Sequence, residues 1–225
     1  MEALHETIQA LRKQLRLAMN GVVSTSMREK GLAYKLNFGV SYPEIKQIAM
    51  QQQPDADLAN ALWQEDCREL KIIATLLQPT EGFTMEEALR WVGEAPYPEI
   101  AEFLSKHLLA RLPYAEALML ELLRQNDGRL GRATAFLLWT ECIKQGRTLS
   151  PATKAAMQAA ALRQADSDAS LFERRVAIQA LRFHGRQQSD QAKALLEAIE
   201  TRMKTHEEPS IWEDLYNDLK FEFDN

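Results

Sequence analysis

RRVAIQALRF, at residues 174–183, is apolar around most of its circumference when it is drawn as a helix. RATAFLLWTECI, at residues 132–143, has the same property. A helix that is apolar on nearly all sides has to be covered by neighbours on both flanks. By contrast PYAEALMLELLRQ, at residues 113–125, has one apolar stripe and one polar face. Stacked helical hairpins require such an alternation of central and outer helices, so the pattern predicts an all-α repeat protein.

A repeat can be followed along the chain. An arginine before a run of small and apolar residues occurs at Arg68, Arg132 and Arg175, and a related run without the arginine starts near Ile100. Successive runs are 32, 32 and 43 residues apart, which is within the range of HEAT-like units. We therefore expect a HEAT/ARM-like helical repeat solenoid of antiparallel helix pairs. The alternative is a compact helical bundle without repeats, which would have the same helix content.

Proline, glycine and polar clusters divide the chain into helical segments, and no alternating strand of useful length is present. The predicted helices cover residues 2–19, 43–52, 56–77, 84–92, 98–109, 113–125, 129–145, 151–164, 170–185, 188–204 and 210–221. We expect them to form a single helical-repeat domain over residues 1–225.

The acidic charge of the chain is concentrated near its C-terminal end. The net charge is −5, but residues 197–225 hold nine acids and three bases, whereas residues 1–196 hold 23 acids and 24 bases. The acidic end also carries the aromatic residues Trp212, Tyr216, Phe221 and Phe223. We expect residues 205–225 to dock as an acidic capping helix, apart from any basic surface of the body.

Several classes of site and location are disfavoured by the sequence. It has no long apolar run and no secretory signal pattern, so no membrane segment is expected. Cys67 and Cys142 each lie inside a helical pattern, which predicts buried free thiols and a cytoplasmic location. The four histidines lack metal-ligand spacing, so we expect neither a metal nor a cofactor.

Three segments carry a resemblance to a known family. They are REKGLAYKLNFGVSYPEIKQIA at residues 28–49, the Leu-Trp, Arg-Glu and Ala-x-x-Leu pattern within residues 62–77, and FERRVAIQALRFHG at residues 172–185. These segments are similar to the opening turn, the second-repeat helix and a late inner helix of the AlkD-like DNA alkylation repair enzymes. That family belongs to the HEAT-like repeat DNA glycosylase superfamily, and the resemblance spans residues 28–186.

The resemblance implies a concave helical stack that grips duplex DNA. It also implies excision of cationic N3- or N7-alkylated purines without a metal. Alkylation makes the base a good leaving group, and a positioned carboxylate stabilises the oxocarbenium-like sugar or positions the attacking water. Two aromatic residues of the family's cleft pack against the sugar-phosphate backbone, and an arginine holds a phosphate.

The family's carboxylate and aromatic positions are altered in this chain. The carboxylate position falls on Glu102, or on Ala101 if the register slips by one residue. The first aromatic position falls on Pro98, with Tyr97 beside it, and the second falls on Gln179. Glu102 is therefore the candidate catalytic residue.

Basic residues provide independent support for DNA binding. Residues 129–147 contain four bases and one acid, and residues 174–186 contain four arginines and no acid. Arg175 and Arg182 are seven residues apart and share a helix face, and Arg132 matches the family's arginine. The predicted DNA-binding residues are Arg132, Arg175, Arg182, Arg129 and Tyr97. The alternative is that the arginines form salt bridges along the stack with nearby acids, namely Glu173, Asp166 and Asp168.

Two functions remain open at this point. The first is a metal-independent DNA N-glycosylase that removes cationic alkylpurines from duplex DNA. The second is a non-catalytic HEAT-like repeat module that binds nucleic acid or a protein partner through the same face. Duplex DNA, contacted at its phosphates, is the predicted partner, and whether the protein is an enzyme depends on which hypothesis holds.

Overall fold

The computed structural model describes residues 2–125, 130–165, 170–205 and 209–224. Within these residues the chain forms α-helices, one 3₁₀ turn at Leu109–Arg111 and no β-strand. The helices are α1 (Glu2–Leu17), α2 (Gly21–Glu29), α3 (Tyr42–Ala49), α4 (Ala56–Gln64), α5 (Arg68–Leu77), α6 (Met85–Glu94), α7 (Pro98–His107), α8 (Ala115–Arg124), α9 (Gly131–Lys144), α10 (Pro151–Ala165), α11 (Leu171–Gly185), α12 (Ser189–Thr205) and α13 (Pro209–Phe223). The all-α prediction is confirmed.

The helix predicted over residues 56–77 is wrong, because the structure has two helices there. Between α4 and α5 the backbone becomes extended, and Cys67 forms a parallel bridge with Leu36. The Leu36 N–H donates to the Asp66 carbonyl at 3.1 Å, and the Arg68 N–H donates to the Leu36 carbonyl at 3.3 Å. Pairing with a distant segment thus satisfies the backbone groups that a continuous helix would have used.

Helix α2 is not among the helices predicted from the sequence pattern. Its N-terminus is capped by Asn20, whose side chain accepts from the Val23 N–H at 3.1 Å. The Ser24 hydroxyl donates to the Asn37 carbonyl at 2.6 Å, so α2 is held against the segment that precedes α3. Gly39 has φ +68° and comes so close to α2 that an added Cβ would lie 2.4 Å from the Asn20 carbonyl oxygen. Tertiary contacts thus support a helix whose valines have modest helix propensity.

Two compact units make up the chain, Met1–Leu112 and Pro113–Asn225. In the first unit α5 packs against α3, α4 and α7, and nearly all of its residues are buried. In the second unit α9 packs against α8 and α11, and α11 also packs against α10 and α12. The segments predicted to be central, in α9 and α11, therefore have helical neighbours on more than one side. The single domain expected over residues 1–225 stays a prediction.

Both cysteines are buried and free, as predicted. Burial raises the pKa of Cys142 to about 11 and that of Cys67 to about 12, so both thiols are protonated at neutral pH. Among the helices of the described residues, none is long and apolar enough to cross a membrane.

The acidic C-terminal segment forms α13, which packs against α12. Trp212, Leu215 and Leu219 are buried along its inner face. The guanidinium of Arg202, from α12, lies 5.4 Å from the centroid of the Trp212 ring. The hydroxyl of Tyr216 donates to Glu200 at 2.8 Å.

Candidate nucleic-acid interface

A groove of about 540 Å³ runs along the exposed face of α11. Among the described residues that line it, the charged ones are Arg174, Arg175, Arg182, Arg186 and Glu222. Ile178, Gln179 and Phe183 lie between the arginines and supply the rest of its floor. This surface, which we call the arginine groove, is lined by four arginines and one acid among the described residues.

The helical period of α11 separates its apolar and basic residues onto two faces. The buried face of α11 includes Val176, Ala177, Ala180, Leu181 and His184. The arginines at positions 175, 182 and 186 follow the i, i+3/i+4 rows on the other side and stay partly or fully exposed. The helix begins at the N-cap Ser170, whose hydroxyl accepts from the Glu173 N–H at 3.2 Å. The apolar face of α11 thus anchors it in the core while the other face presents guanidinium groups.

Arg132 lies on α9 and is tied to α11. Its Nη1 is 3.6 Å from a carboxylate oxygen of Glu173 and 3.3 Å from the amide oxygen of Gln164. Its side chain is 37% exposed. The salt bridge with Glu173 considered in the sequence analysis is therefore present. Arg129, a predicted DNA-binding residue, lies outside the described residues, as do the alternative arginine partners Asp166 and Asp168.

Arg182 is paired with the acidic helix, which the sequence analysis had expected to dock apart from the basic surface. Its Nη2 donates to Asp218 Oδ2 at 2.8 Å, and its Nε lies 3.7 Å from a carboxylate oxygen of Glu222. Arg186 pairs with the other carboxylate oxygen of Glu222. The expected separation of basic and acidic surfaces is thus wrong, because α13 lies with two of its acids against α11.

Arg175 and Gln179 line the same groove and precede Arg182 on α11 by about two turns and one turn. Arg175 is exposed, and its guanidinium lies 5.3 Å from the centroid of the Phe172 ring. Gln179 is exposed in the groove at the position where the family pattern has its second aromatic residue. The aromatic ring of the groove is instead Phe183, one turn further along.

Phe183 lines the groove and was not among the predicted site residues. The Nζ of Lys144 and the guanidinium of Arg186 lie 4.9 Å and 5.5 Å from the centroid of its ring. The spacing of four residues from Gln179 was the available signal, because it puts both side chains on one face. Arg174 and Arg186 also line the groove without having been among the predicted site residues.

Tyr97 and Glu102 belong to α7 of the first unit. Tyr97 is the N-cap residue, and its hydroxyl accepts from the Ala33 N–H at 2.8 Å. Its ring makes an edge contact with that of Tyr34, at 4.8 Å between centroids. Of the two candidate carboxylate positions, Ala101 is completely buried and Glu102 is exposed. Residue 102 is thus the one whose side chain is open to solvent.

Comparison with known proteins gives one family and one fold. The sequence profile of a family described as "DNA alkylation repair enzyme" matches residues 11–168. No curated protein matches the chain. A solved structure with 12% sequence identity and a TM-score of 0.74 is similar over 85% of this chain and 81% of that chain. It is described as a new family of proteins related to the HEAT-like repeat DNA glycosylases with affinity for branched DNA structures. The predicted HEAT-like repeat fold is confirmed.

Proposed function

Because this chain belongs to the DNA alkylation repair enzyme family, we propose that it binds DNA through its phosphate backbone and that the arginine groove is the contacting surface. The observation that carries the proposal is the row of guanidinium groups on one face of α11, with Glu222 as the acid that lines the same described surface. Electrostatic contact with phosphates supplies most of the affinity of proteins that bind DNA without sequence preference.

The chemistry and the spacing of the groove both suit a phosphate backbone. A guanidinium group presents its N–H donors as a planar fork that matches two phosphate oxygens. The rise from Arg175 to Arg182 along the helix is about 10.5 Å at roughly 1.5 Å per residue. Phosphates of one DNA strand follow each other at about 3.4 Å along the duplex axis, so the row spans about three of them.

Binding of a labelled linear duplex, measured by fluorescence anisotropy over a range of salt concentrations, tests this proposal. We expect the affinity of the parent protein to fall with added salt. We expect Arg175→Ala to weaken binding several-fold and to reduce the slope of log affinity against log salt by about 1. Arg163→Ala, which removes an exposed arginine of α10, is the matched control and should change neither.

An affinity that does not respond to salt would contradict phosphate contact, and equal behaviour of the two arginine variants would contradict the arginine groove. A labelled four-way junction is a useful second probe, because the similar solved structure is described as having affinity for branched DNA. Tighter binding of the junction than of a linear duplex of the same length would make branched DNA the preferred ligand of this chain.

A second candidate function is the release of a cationic alkylated purine. The favouring observation is the exposed carboxylate of Glu102 on α7, at the position that the family pattern gives to its catalytic carboxylate. A carboxylate there would stabilise the positive charge that develops on the sugar as the glycosidic bond breaks. This chain differs from the family pattern at the two aromatic positions, where it has Pro98 and Gln179.

Release of 7-methylguanine from methylated duplex DNA measures this activity directly. If Glu102 is catalytic, we expect the parent protein to release the base and Glu102→Gln to lose on the order of 10²-fold or more in rate. Glu86→Gln, which removes an exposed carboxylate of α6, is the control and should retain the activity. Salt-sensitive DNA binding without base release by the parent would reject the reaction and leave a non-catalytic DNA-binding protein.

A further inference from the structure

We propose that α13 is an internal competitor for the arginine groove, with Asp218 and Glu222 occupying the phosphate-binding groups of Arg182 and Arg186 until DNA displaces them. This inference rests on the proposed DNA-binding function and concerns the regulation of the same surface. The acidic helix would regulate access to the arginine groove, and the exposed residue Arg175 would be the point of first contact.

The two helices present matched pairs of charges. Asp218 and Glu222 are four residues apart on α13, and Arg182 and Arg186 are four residues apart on α11, so each pair lies on one helix face. Arg182 binds Asp218 at 2.8 Å and approaches Glu222 at 3.7 Å, and Arg186 binds Glu222. Carboxylate oxygens therefore take the places beside the guanidinium groups that phosphate oxygens would take in a complex.

Apolar contacts hold α13 in this position. Trp212, Leu215 and Leu219 are buried and α13 packs against α12, so apolar burial supports the docking of α13 in addition to its ion pairs. At the other end of the helix the Phe223 ring lies against Gly185, where an added Cβ would be 2.2 Å from the nearest ring atom. This close approach lays the last turn of α13 on the C-terminal end of α11, beside Arg182 and Arg186.

Each of these ion pairs includes one side chain that water reaches, although Glu222 itself is only 17% exposed. The side chains of Asp218 and Arg186 are 67% and 52% exposed. Ion pairs in contact with water are weak and are screened by salt, whereas a DNA strand offers a continuous row of charges. A duplex that enters along α11 must either stop short of Arg182 or displace the two carboxylates, which would otherwise repel its phosphates.

A double variant, Asp218→Asn with Glu222→Gln, tests the competition in the full-length chain. We expect its affinity for the labelled linear duplex to rise roughly tenfold, the equivalent of about 1.4 kcal/mol. The slope of log affinity against log salt should stay close to that of the parent, because Arg182 and Arg186 contact phosphates in both complexes once the carboxylates are displaced or removed. The control is Glu213→Gln with Asp214→Asn, which removes the same charge from exposed positions of the same helix.

A second variant releases α13 without removing its acids. Gly185→Ala introduces a methyl group where the Phe223 ring now lies, so it should shift the end of α13 and also raise DNA affinity. Thermal unfolding of each variant shows whether the rest of the chain is intact. A rise for the two α13-directed variants, but not for the control, supports competition.

Two outcomes would overturn the inference. Weaker binding by the variant with Asp218→Asn and Glu222→Gln would mean that the two carboxylates orient the arginines for DNA. An equal rise in affinity for the control variant would mean a general effect of charge. The proposed function fails separately. If Arg175→Ala weakens binding while both α13-directed variants leave it unchanged, only the competition is wrong. If neither the parent nor any variant binds DNA at low salt, both proposals are wrong.

Discussion

The side chain of Glu69 joins two of the family-like segments, the Arg-Glu pattern within residues 62–77 and the turn within residues 28–49. It is completely buried and accepts from the N–H groups of Phe38 and Val40 at 3.2 Å and 3.3 Å. It also binds Arg68 at 3.2 Å, and Arg68 binds both carboxylate oxygens of Glu99, at 2.8 Å and 2.5 Å. The Arg-Glu pair at the start of α5 thus joins the turn before α3 to the first turn of α7, one turn before residue 102.

Replacing Glu69 by glutamine should destabilise the protein. The amide group of glutamine would turn N–H donors toward groups that are themselves donors, and the buried guanidinium of Arg68 would lose one of its two anions. Breaking a buried ion pair in this way costs about 3–5 kcal/mol. We therefore expect Glu69→Gln to lower the free energy of unfolding by about 3 kcal/mol, measured by urea denaturation.

The control for this measurement is Glu86→Gln, an exposed carboxylate of the first unit, for which the change should stay within about 0.5 kcal/mol. If the two variants unfold at the same urea concentration, the buried network does not stabilise the turn as described.

At the scale of the element, α11 has two tasks that its two faces perform separately. Its buried face packs against α9, where the His184 ring lies 5.1 Å from that of Trp139. Its other face forms the arginine groove. Burial, with a smaller contribution from Lys154, lowers the pKa of His184 to about 4. His184 is therefore neutral in the folded protein at neutral pH.

The pH dependence of stability should report this histidine. Its pKa in the unfolded chain is about 6.5, so between about pH 6.5 and pH 4 the unfolded state binds the proton and the folded state does not. Stability is consequently complete above about pH 6.5 and is lost as the pH falls toward 4, by up to about 3 kcal/mol.

Urea denaturation of the parent and of His184→Gln at pH 7 and pH 5 measures the effect. The variant should lose less stability than the parent on acidification, although its stability at pH 7 is lower because a buried ring has been removed. His5→Gln, which changes an exposed histidine of α1, should keep the parent's pH dependence. An identical pH dependence in parent and His184→Gln would contradict the neutral buried imidazole.

At the scale of the whole molecule, the net charge of −5 conceals an uneven distribution. Residues 197–225 hold nine acids and three bases, and two of these acids lie against the arginines of α11. Net charge is therefore a poor guide to whether this chain binds DNA, because local charge and its partners decide the potential at the groove. Removing Asp218 and Glu222 should make the electrostatic potential at the groove more positive, because these two acids lie directly beside its arginines.

Patterns that are local in sequence gave correct predictions. The helical class, the central position of α9 and α11, the burial of Cys142 and the shared face of Arg175 and Arg182 all follow from the helical period and the distribution of apolar residues. The family could be recognised because its motifs are short runs of this kind. Each of these features depends on residues that lie within a few turns of one another.

The tertiary structure alone decided the features that join distant residues. The break between α4 and α5 comes from pairing with Leu36, and Glu69 binds backbone groups about thirty residues away. Arg182 and Asp218 are separated by 36 residues and meet only because α13 docks beside α11. The helical period of a sequence does not predict which distant surface a charged side chain will contact after packing. The sequence therefore predicted a basic face and an acidic helix correctly, but only their packing brought the two together.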